Sequence, residues 1–446
     1  MGGTSERTEV VCGIDIGSTN LKVVALDRNG RVVARARQTT PRDPSDLSID
    51  AQGILDAIED MIIEACGTEY IVAAVASAGV GEDGVLVDKN RRPLGRALAW
   101  FDPRRTRLFE ELEPRLPSPE GIGVNTNPSH TLIGWLWSSR QDNSGSAASW
   151  AAVTDFASCC WSRRSFISDT LAARTAAWDM RTRTWLTDRV EMTLGSSDLL
   201  PEVVRTGERV GSLRSARLSG AGVLAPLATV VAGGHDHPIG GWGVDQLQPG
   251  AILDSMGTAE VVVAQSPTAK VPRFGSCDVA PGILSQGSTL LNVTELARNV
   301  HWASQDPAVA AALQAIFDGS QEPDEYVHSE SFIPGGPGGV RPRYAHDAPA
   351  APGSRASAVA GALARSGGAA IQSVASRMPP GAPVYVAGGW ARSRGWIEIK
   401  KAVIGTDVHI IPEPEVTAVG AALLAAHAIN WDIPAGMALS SPAGIA

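Results

Sequence analysis

Two related α/β domains facing each other are what the sequence predicts, and three observations carry that prediction. Apolar, β-branched runs end repeatedly in short glycine turns, at 15–19, 77–84, 233–241, 255–258 and 387–389. A strand–tight turn–strand pattern at the start of the chain returns near Thr229, which reads as an internal repeat. A chain of 446 residues is also long enough to bury two or three separate cores.

Residues 10–20, 21–27 and 31–37 read as three strands, the last two joined by Arg28-Asn29-Gly30, because Asn-Gly is a strong hairpin signal. Ile54, Leu55, Ile58, Met61 and Ile62 form the apolar stripe of a helix over 48–66, with Asp50 in its first turn and Gly67 just past its end. A buried strand over 71–76 follows and opens into the loop 77–84. Three antiparallel strands, a helix and a further strand make one α/β layer. The region 90–225 is rich in Arg, Trp and Pro, and short helices with insertions are expected there, with a polar loop near 141–149. Trp135, Trp137, Trp150 and Trp161 share no common face by spacing, so they are read as packing groups. Strands over 230–232, 251–253 and 261–264 resume the pattern. The Gly/Pro stretch 334–339 reads as a shaped loop. A helix over 357–378, a strand over 383–387, a helix over 396–405, a strand over 408–411 and a closing helix over 418–427 complete the chain.

Hydrophobic residues make up 44% and charged residues 19%, as in an ordinary globular protein. The net charge of −9 argues against nucleic-acid backbones and acidic membrane surfaces as partners. It leaves room for a nucleotide, whose phosphates are held by backbone amides and a metal ion. No stretch approaches the ~18 apolar residues of a membrane span, and the polar start carries no signal-peptide core. Five scattered cysteines give neither a disulfide framework nor a zinc spacing. A reducing cytoplasm is the expected home.

The chemistry centres on the stretch 230–241, where His235, Asp236 and His237 sit between two pairs of glycines at the end of a buried strand. Two readings of Asp236 stand side by side. It caps the following helix, or it is a catalytic carboxylate where ligand sites of open α/β sheets lie. His235, Asp236 and His237 also admit a metal-dependent hydrolase site. Three other turns share one design. Asp15, Gly17, Ser18 and Thr19 offer a carboxylate, a glycine and two hydroxyls; Gly257 and Thr258 offer a glycine and a hydroxyl; Gly388 and Gly389 offer close backbone approach before a helix. Such turns cradle phosphate oxygens, and a carboxylate beside them holds a hydrated magnesium ion.

Asp-Ile-Gly-Ser-Thr at 15–19, Gly-Gly-His-Asp-His at 233–237, Met-Gly-Thr-Ala-Glu at 256–260 and Ala-Gly-Gly at 387–389 together resemble the FGGY carbohydrate kinases, of the actin/Hsp70/hexokinase-like ATPase superfamily. Ala99–Arg105 is similar to the Trp-x-Asp-x-Arg stretch of xylulose and glycerol kinases, Ser168–Ala173 to the family's Ser-Asp segment, and 415–425 to its final glycine helix. The resemblance implies two actin-like ATPase (ribonuclease H-like) domains with a central cleft, residues 1–227 mainly binding sugar and 228–446 mainly binding ATP.

It further implies ATP-dependent phosphorylation of a sugar or polyol hydroxyl, most readily a ketose, with Mg2+ as cofactor, Asp236 as general base and the enzyme as a homodimer. Asp15 would help position Mg2+ indirectly, with Asp236 beside it. Ser18, Thr19, Gly17, Gly257 and Thr258 would contact the phosphates, and Gly388 and Gly389 the adenosine. Glu82, Trp100, Asp102 and His237 would join Asp236 around the acceptor. Val80-Gly81 departs from the Gln-Met or Gln-Arg pair of several relatives, and Gly134 stands where xylulose kinases tend to carry lysine. A cyclitol or sugar acid as acceptor, and a non-catalytic ATP-binding sensor, remain the alternatives.

Overall fold

Near-continuous apolar runs, such as the seven buried residues that end the first strand, are stable only in a sheet covered on both faces. The computed structural model describes residues 7–118, 121–142, 144–268, 271, 273–336 and 340–440. Strands β1 (Thr8–Ile16), β2 (Asn20–Leu26) and β3 (Val32–Thr39) form the expected antiparallel meander. Helix α1 (Ala51–Cys66) follows, and its start is fixed by Asp50, whose side chain accepts from the Gly53 amide. Asp50 is therefore the cap outside the helix, not a residue of its first turn. Strand β4 (Tyr70–Gly79) then pairs parallel to β1.

Between 90 and 225 the chain forms the short helices expected, among them α2 (Arg104–Leu112), α3 (Thr131–Ser139) and α4 (Val153–Ser162). Trp135, Trp150 and Trp161 are buried packing groups, the first two edge to face at 5.8 Å. Trp137 lies instead under the Arg104 guanidinium. The polar stretch near 141–149 carries one tight turn over Ser144–Ser146, with residue 143 outside the described residues.

Strands β5 (Arg209–Ser212) and β6 (Leu224–His235) complete a six-stranded sheet of order β5-β6-β4-β1-β2-β3. Two expectations are corrected here. The strands expected to stop at Ala76 and Ala232 run on to Gly79 and His235, so Gly233 and Gly234 are strand and not loop. Close packing explains why the glycines are there: a Cβ on Gly233 would lie 1.6 Å from the Ser77 carbonyl oxygen, and one on Gly234 2.1 Å from Thr170 Oγ1. The domain boundary expected at 227/228 falls inside β6, which belongs whole to the first sheet. Helix α5 (Asp236–Asp245) begins without a loop at the next residue.

The second half repeats this plan with β7 (Ile252–Met256), β8 (Ala259–Ser266), β9 (Asp278–Pro281), β10 (Ser288–Glu295) and helices α6 (Pro307–Asp318) and α7 (Pro352–Ala375). It ends in β11 (Val384–Ala387), α8 (Arg394–Ile404), β12 (Val408–Ile410) and α9 (Val416–Ala428). Its sheet order is β9-β10-β8-β7-β11-β12. With the edge strands β5 and β9 set aside, each sheet is a three-strand antiparallel meander with two parallel strands beyond its first strand. That is the ribonuclease H-like order of actin-like ATPases. Of the shaped loop expected over 334–339, residues 337–339 lie outside the described residues.

Helices α1 and α4 cover the outer face of the first sheet, and α7, backed by α6 and α8, covers the outer face of the second. Between the sheets lie α5 and α9, each covering the sheet of the other half. Helix α5 continues β6 yet packs on β7 and β8, while α9 packs on β1 and β4. The contact is close enough to need glycine: a Cβ on Gly13 would lie 1.9 Å from the Ala418 carbonyl oxygen, and one on Gly243 3.2 Å from Gly420 Cα. Among the described residues no helix is long and apolar enough to cross a membrane.

Candidate active site

Strands β1, β4 and β6 are parallel neighbours, so their carboxyl ends present side chains to one place. β1 ends at Asp15-Ile16, β4 leads into Val80-Gly81-Glu82, and β6 delivers His235 and Asp236. The sharp change from strand to helix at 235/236 leaves Asp236 as the first helical residue. The His237 amide donates to its Oδ1 at 2.7 Å, while His235 Nε2 and His237 Nε2 stand 3.2 and 3.7 Å from the same oxygen. Among the described residues its Oδ2 has no protein partner, and the side chain keeps 19% exposure.

Burial raises the Asp236 carboxyl above the usual carboxylate range; His237 opposes this, while Asp15 and Glu82 add to it. The His235 imidazole is driven well below its ordinary value, first by burial and then by Arg174, so it is neutral. Its ring meets that of His237 edge to face at 5.7 Å. Among the described residues no group of three or more His, Cys, Asp or Glu side chains is arranged to hold a metal ion directly.

Asp15 is engaged by Lys22 Nζ at 3.0 Å, and the same ammonium reaches Glu415 Oε2 at 2.8 Å. Burial alone would lower Lys22, but Asp15 and Glu415 hold it above its ordinary range. The nearby turn orders Ser18, whose Oγ accepts from Trp100 Nε1 at 2.8 Å and whose carbonyl accepts from Arg42. Trp100 is 36% exposed, its ring meeting that of Phe101 edge to face at 5.4 Å. Asp102 is turned elsewhere: both its oxygens are taken by Arg104, through the amide, Nε and Nη2, at the start of α2.

Glu82 carries a cation as its partner. Arg174 Nε and Nη2 both reach its Oε1, at 2.8 and 2.7 Å. His130 stands by, its pKa pushed down to about 3 by burial and by Arg174. The absent lysine at 134 also has a reason. A Cβ on Gly134 would already lie 3.1 Å from Arg105 Nη2, and Arg105 fills this space, donating to the carbonyls of Leu98, Ala99, Ser129 and His130.

On the opposite side, the β7–β8 hairpin closes through Gly257 N–H to the Ala259 carbonyl at 2.9 Å, leaving Thr258 at its tip. Gly388 holds φ +91°, and a Cβ there would lie 2.3 Å from the Met256 carbonyl oxygen. These turns border a cleft of ≈ 770 Å³ whose walls include Gly257, Thr258, Val300, Leu313, Phe317, Gly389, Trp390 and Arg394. Apolar walls with hydroxyls and backbone at one end suit a purine with its phosphates. Phe317 and Trp390 meet edge to face at 5.3 Å. Beneath the hairpin Lys400 is fully buried with Asp254 and Glu260 as partners, and burial, then Asp254, pushes Glu260 up to about 7.

The structure therefore gathers Asp15, Ser18, Trp100, Glu82, Asp236 and His237 on one side, and Gly257, Thr258, Gly388 and Gly389 on the other. Arg174, Asp278, His130 and Lys22, and the cleft-lining residues of α6, were missed. They lie outside glycine turns, and only the placing of Arg174 directly after the Ser168–Ala173 segment offered any signal.

The sequence profile of the FGGY family of carbohydrate kinases, N-terminal domain, matches residues 10–243. L-fuculokinase of Escherichia coli (strain K12) is 26% identical over 326 residues, covering 68% of this chain and 68% of that protein. A xylulose kinase of Streptomyces coelicolor is 26% identical over 449 residues, covering 96% of this chain and 90% of that protein. The crystal structure of a ligand-bound xylulose kinase from Lactobacillus acidophilus superimposes with a TM-score of 0.82 at 16% identity, over 97% of this chain and 92% of that one.

Proposed function

The chain belongs to the FGGY family of carbohydrate kinases, and from that premise we propose that it transfers the γ-phosphoryl group of ATP to a hydroxyl of a ketose, with Asp236 as general base. One observation carries the assignment: Asp236 stands at the junction of β6 and α5, its Oδ1 fixed by the His237 amide and its Oδ2, among the described residues, without a protein partner. A hydroxyl lined up with Oδ2 loses its proton as its oxygen bonds to phosphorus, so alkoxide charge never accumulates. The ketose reading is supported by relatives named for xylulose and L-fuculose.

The two hairpins divide the phosphate work. Ser18, Thr19 and Gly17 face the chain from the first sheet, and Gly257 and Thr258 from the second, while Gly388 and Gly389 border the nucleoside. Mg2+ fits the hard oxygen donors of Asp15 and Asp236, which would hold it through water, and it would neutralise phosphate charge there. Lys22 holds the Asp15 carboxylate in place beside the turn. Trp100 walls the acceptor side through its bond to Ser18.

Glu82 accepts a hydrogen bond from an acceptor hydroxyl. Glu82→Ala is expected to raise the acceptor KM about 10–100-fold with a smaller change in kcat, the cost of one hydrogen bond to a charged group. Initial rates against acceptor concentration check this, and an unchanged KM removes Glu82 from the pocket. The test of the whole reading is a coupled ADP-release screen over ketoses, polyols, aldoses, sugar acids and cyclitols. Release stimulated by none of them rejects it.

A further inference from the structure

Arg174 does more than neutralise Glu82. It lies in the turn Ala173–Thr175, its side chain 12% exposed, and while Nε and Nη2 take Glu82 Oε1, Nη1 reaches Asp278 Oδ2 at 3.0 Å. Asp278 opens β9 on the second sheet, so this ion-pair chain joins the two domains at the acceptor side of the cleft. Its place is built: a Cβ on Gly81 would lie 2.7 Å from Arg174 Cγ and 2.9 Å from His235 Cδ2. Glu82 is thereby half used. Oε1 is pinned twice, and among the described residues Oε2 has no protein partner.

The cation at the centre of these ion pairs is already committed. Arg174 serves two carboxylates, and Arg273 Nε stands 3.5 Å from Asp278 Oδ1. The His130 and His235 rings facing Arg174 are neutral. Arg42, beside Ser18, gives its donors to the carbonyls of Ser18 and Leu47. Arg174 is thus spent on Glu82 and Asp278, and Asp236 remains as a further carboxylate beside them.

We propose that the Glu82–Arg174–Asp278 chain is the specificity element of the acceptor pocket, and that it selects a neutral polyhydroxylated acceptor over a carboxylated one. The proposal rests on the kinase reading above and narrows it. Arg174 offers Glu82 Oε2 to a hydroxyl, while Asp278, from the other domain, occupies the guanidinium face that an acceptor carboxylate would need. A sugar acid meets Asp236 and Glu82 with Arg174 already held by two carboxylates, and like charges brought together in a closing cleft disfavour its binding.

The experiment compares kcat/KM for ketoses and polyols of four to seven carbons with that for the aldonate of equal carbon number, in the wild type, D278N and R174K. The wild type is expected to favour the neutral acceptor by about 100-fold or more. D278N keeps the size of the side chain and removes its charge, freeing Arg174, so the ratio falls about tenfold or more. R174K retains the charge but cannot bridge both carboxylates, and it raises the KM of the neutral acceptor more than it lowers kcat. A wild type that uses an aldonate as well as its neutral counterpart, or a D278N ratio within about twofold of wild type, overturns the inference while leaving the kinase intact. Absence of ADP release with every acceptor overturns both.

Discussion

D236N lowers kcat by about 10³-fold or more while leaving the KM for ATP within about threefold, because a general base acts in the transition state and touches the acceptor, not the nucleotide. Near-normal turnover would remove Asp236 from the base position. The same substitution raises the melting temperature. Burial holds the carboxyl above its unfolded value, so the folded protein binds this proton more tightly than the unfolded chain does. The resulting cost is absent below the unfolded pKa of about 3.9 and complete once pH exceeds the folded one, and asparagine removes it. A lower melting temperature for D236N at neutral pH contradicts this. In the wild type, kcat/KM falls on acidification at a pH above ~4, since the base must be ionised to work.

The second large effect falls on the nucleotide side. Gly388→Ala places a methyl group at φ +91° and 2.3 Å from the Met256 carbonyl oxygen, a backbone atom that can move only with its strand. Left-handed strain of about 1–3 kcal/mol and a comparable overpacking cost add together. With an unfolding entropy of about 2 cal/mol/K per residue, each kcal/mol lowers the melting temperature of a folding unit of 446 residues by roughly 1 °C, so a loss of about 2–6 °C is expected. Met256 precedes the hairpin that carries Gly257 and Thr258, so the KM for ATP rises with it. Gly389→Ala is the control, because nothing lies within 4 Å of its Cβ. Equal stability for the two variants would show that β11 and the hairpin do not depend on this contact.

Much of this architecture was legible because strands and glycine turns write themselves locally. β1 to β3, α1 and the β7–β8 hairpin follow from periodicity and turn chemistry, and the phosphate-type turns were visible for the same reason. Strand ends were not. Gly233 and Gly234 look like loop residues, but their glycine is demanded by Ser77 and Thr170, two neighbours distant in sequence. The engagement of Asp102 by Arg104 was hidden on the same ground, because it is a helix-start interaction that a motif does not display. Arg174, Asp278 and Lys400 stayed hidden because ion pairs between segments about a hundred residues apart leave no periodic trace.

Helix α9 carries a consequence for how the molecule is made. One face of the first sheet, with Val11, Val24, Ala74, Ala76 and Val231, is covered by residues 416–428, close to the end of the described chain. During synthesis, all six strands of that sheet leave the ribosome long before their lid does. The N-terminal half must wait with an uncovered apolar face, while α5 projects toward a second sheet not yet made. Such transiently exposed apolar surface is prone to aggregate. The two halves thus share one core despite their repeated topology, and the N-terminal half produced alone is expected to expose it.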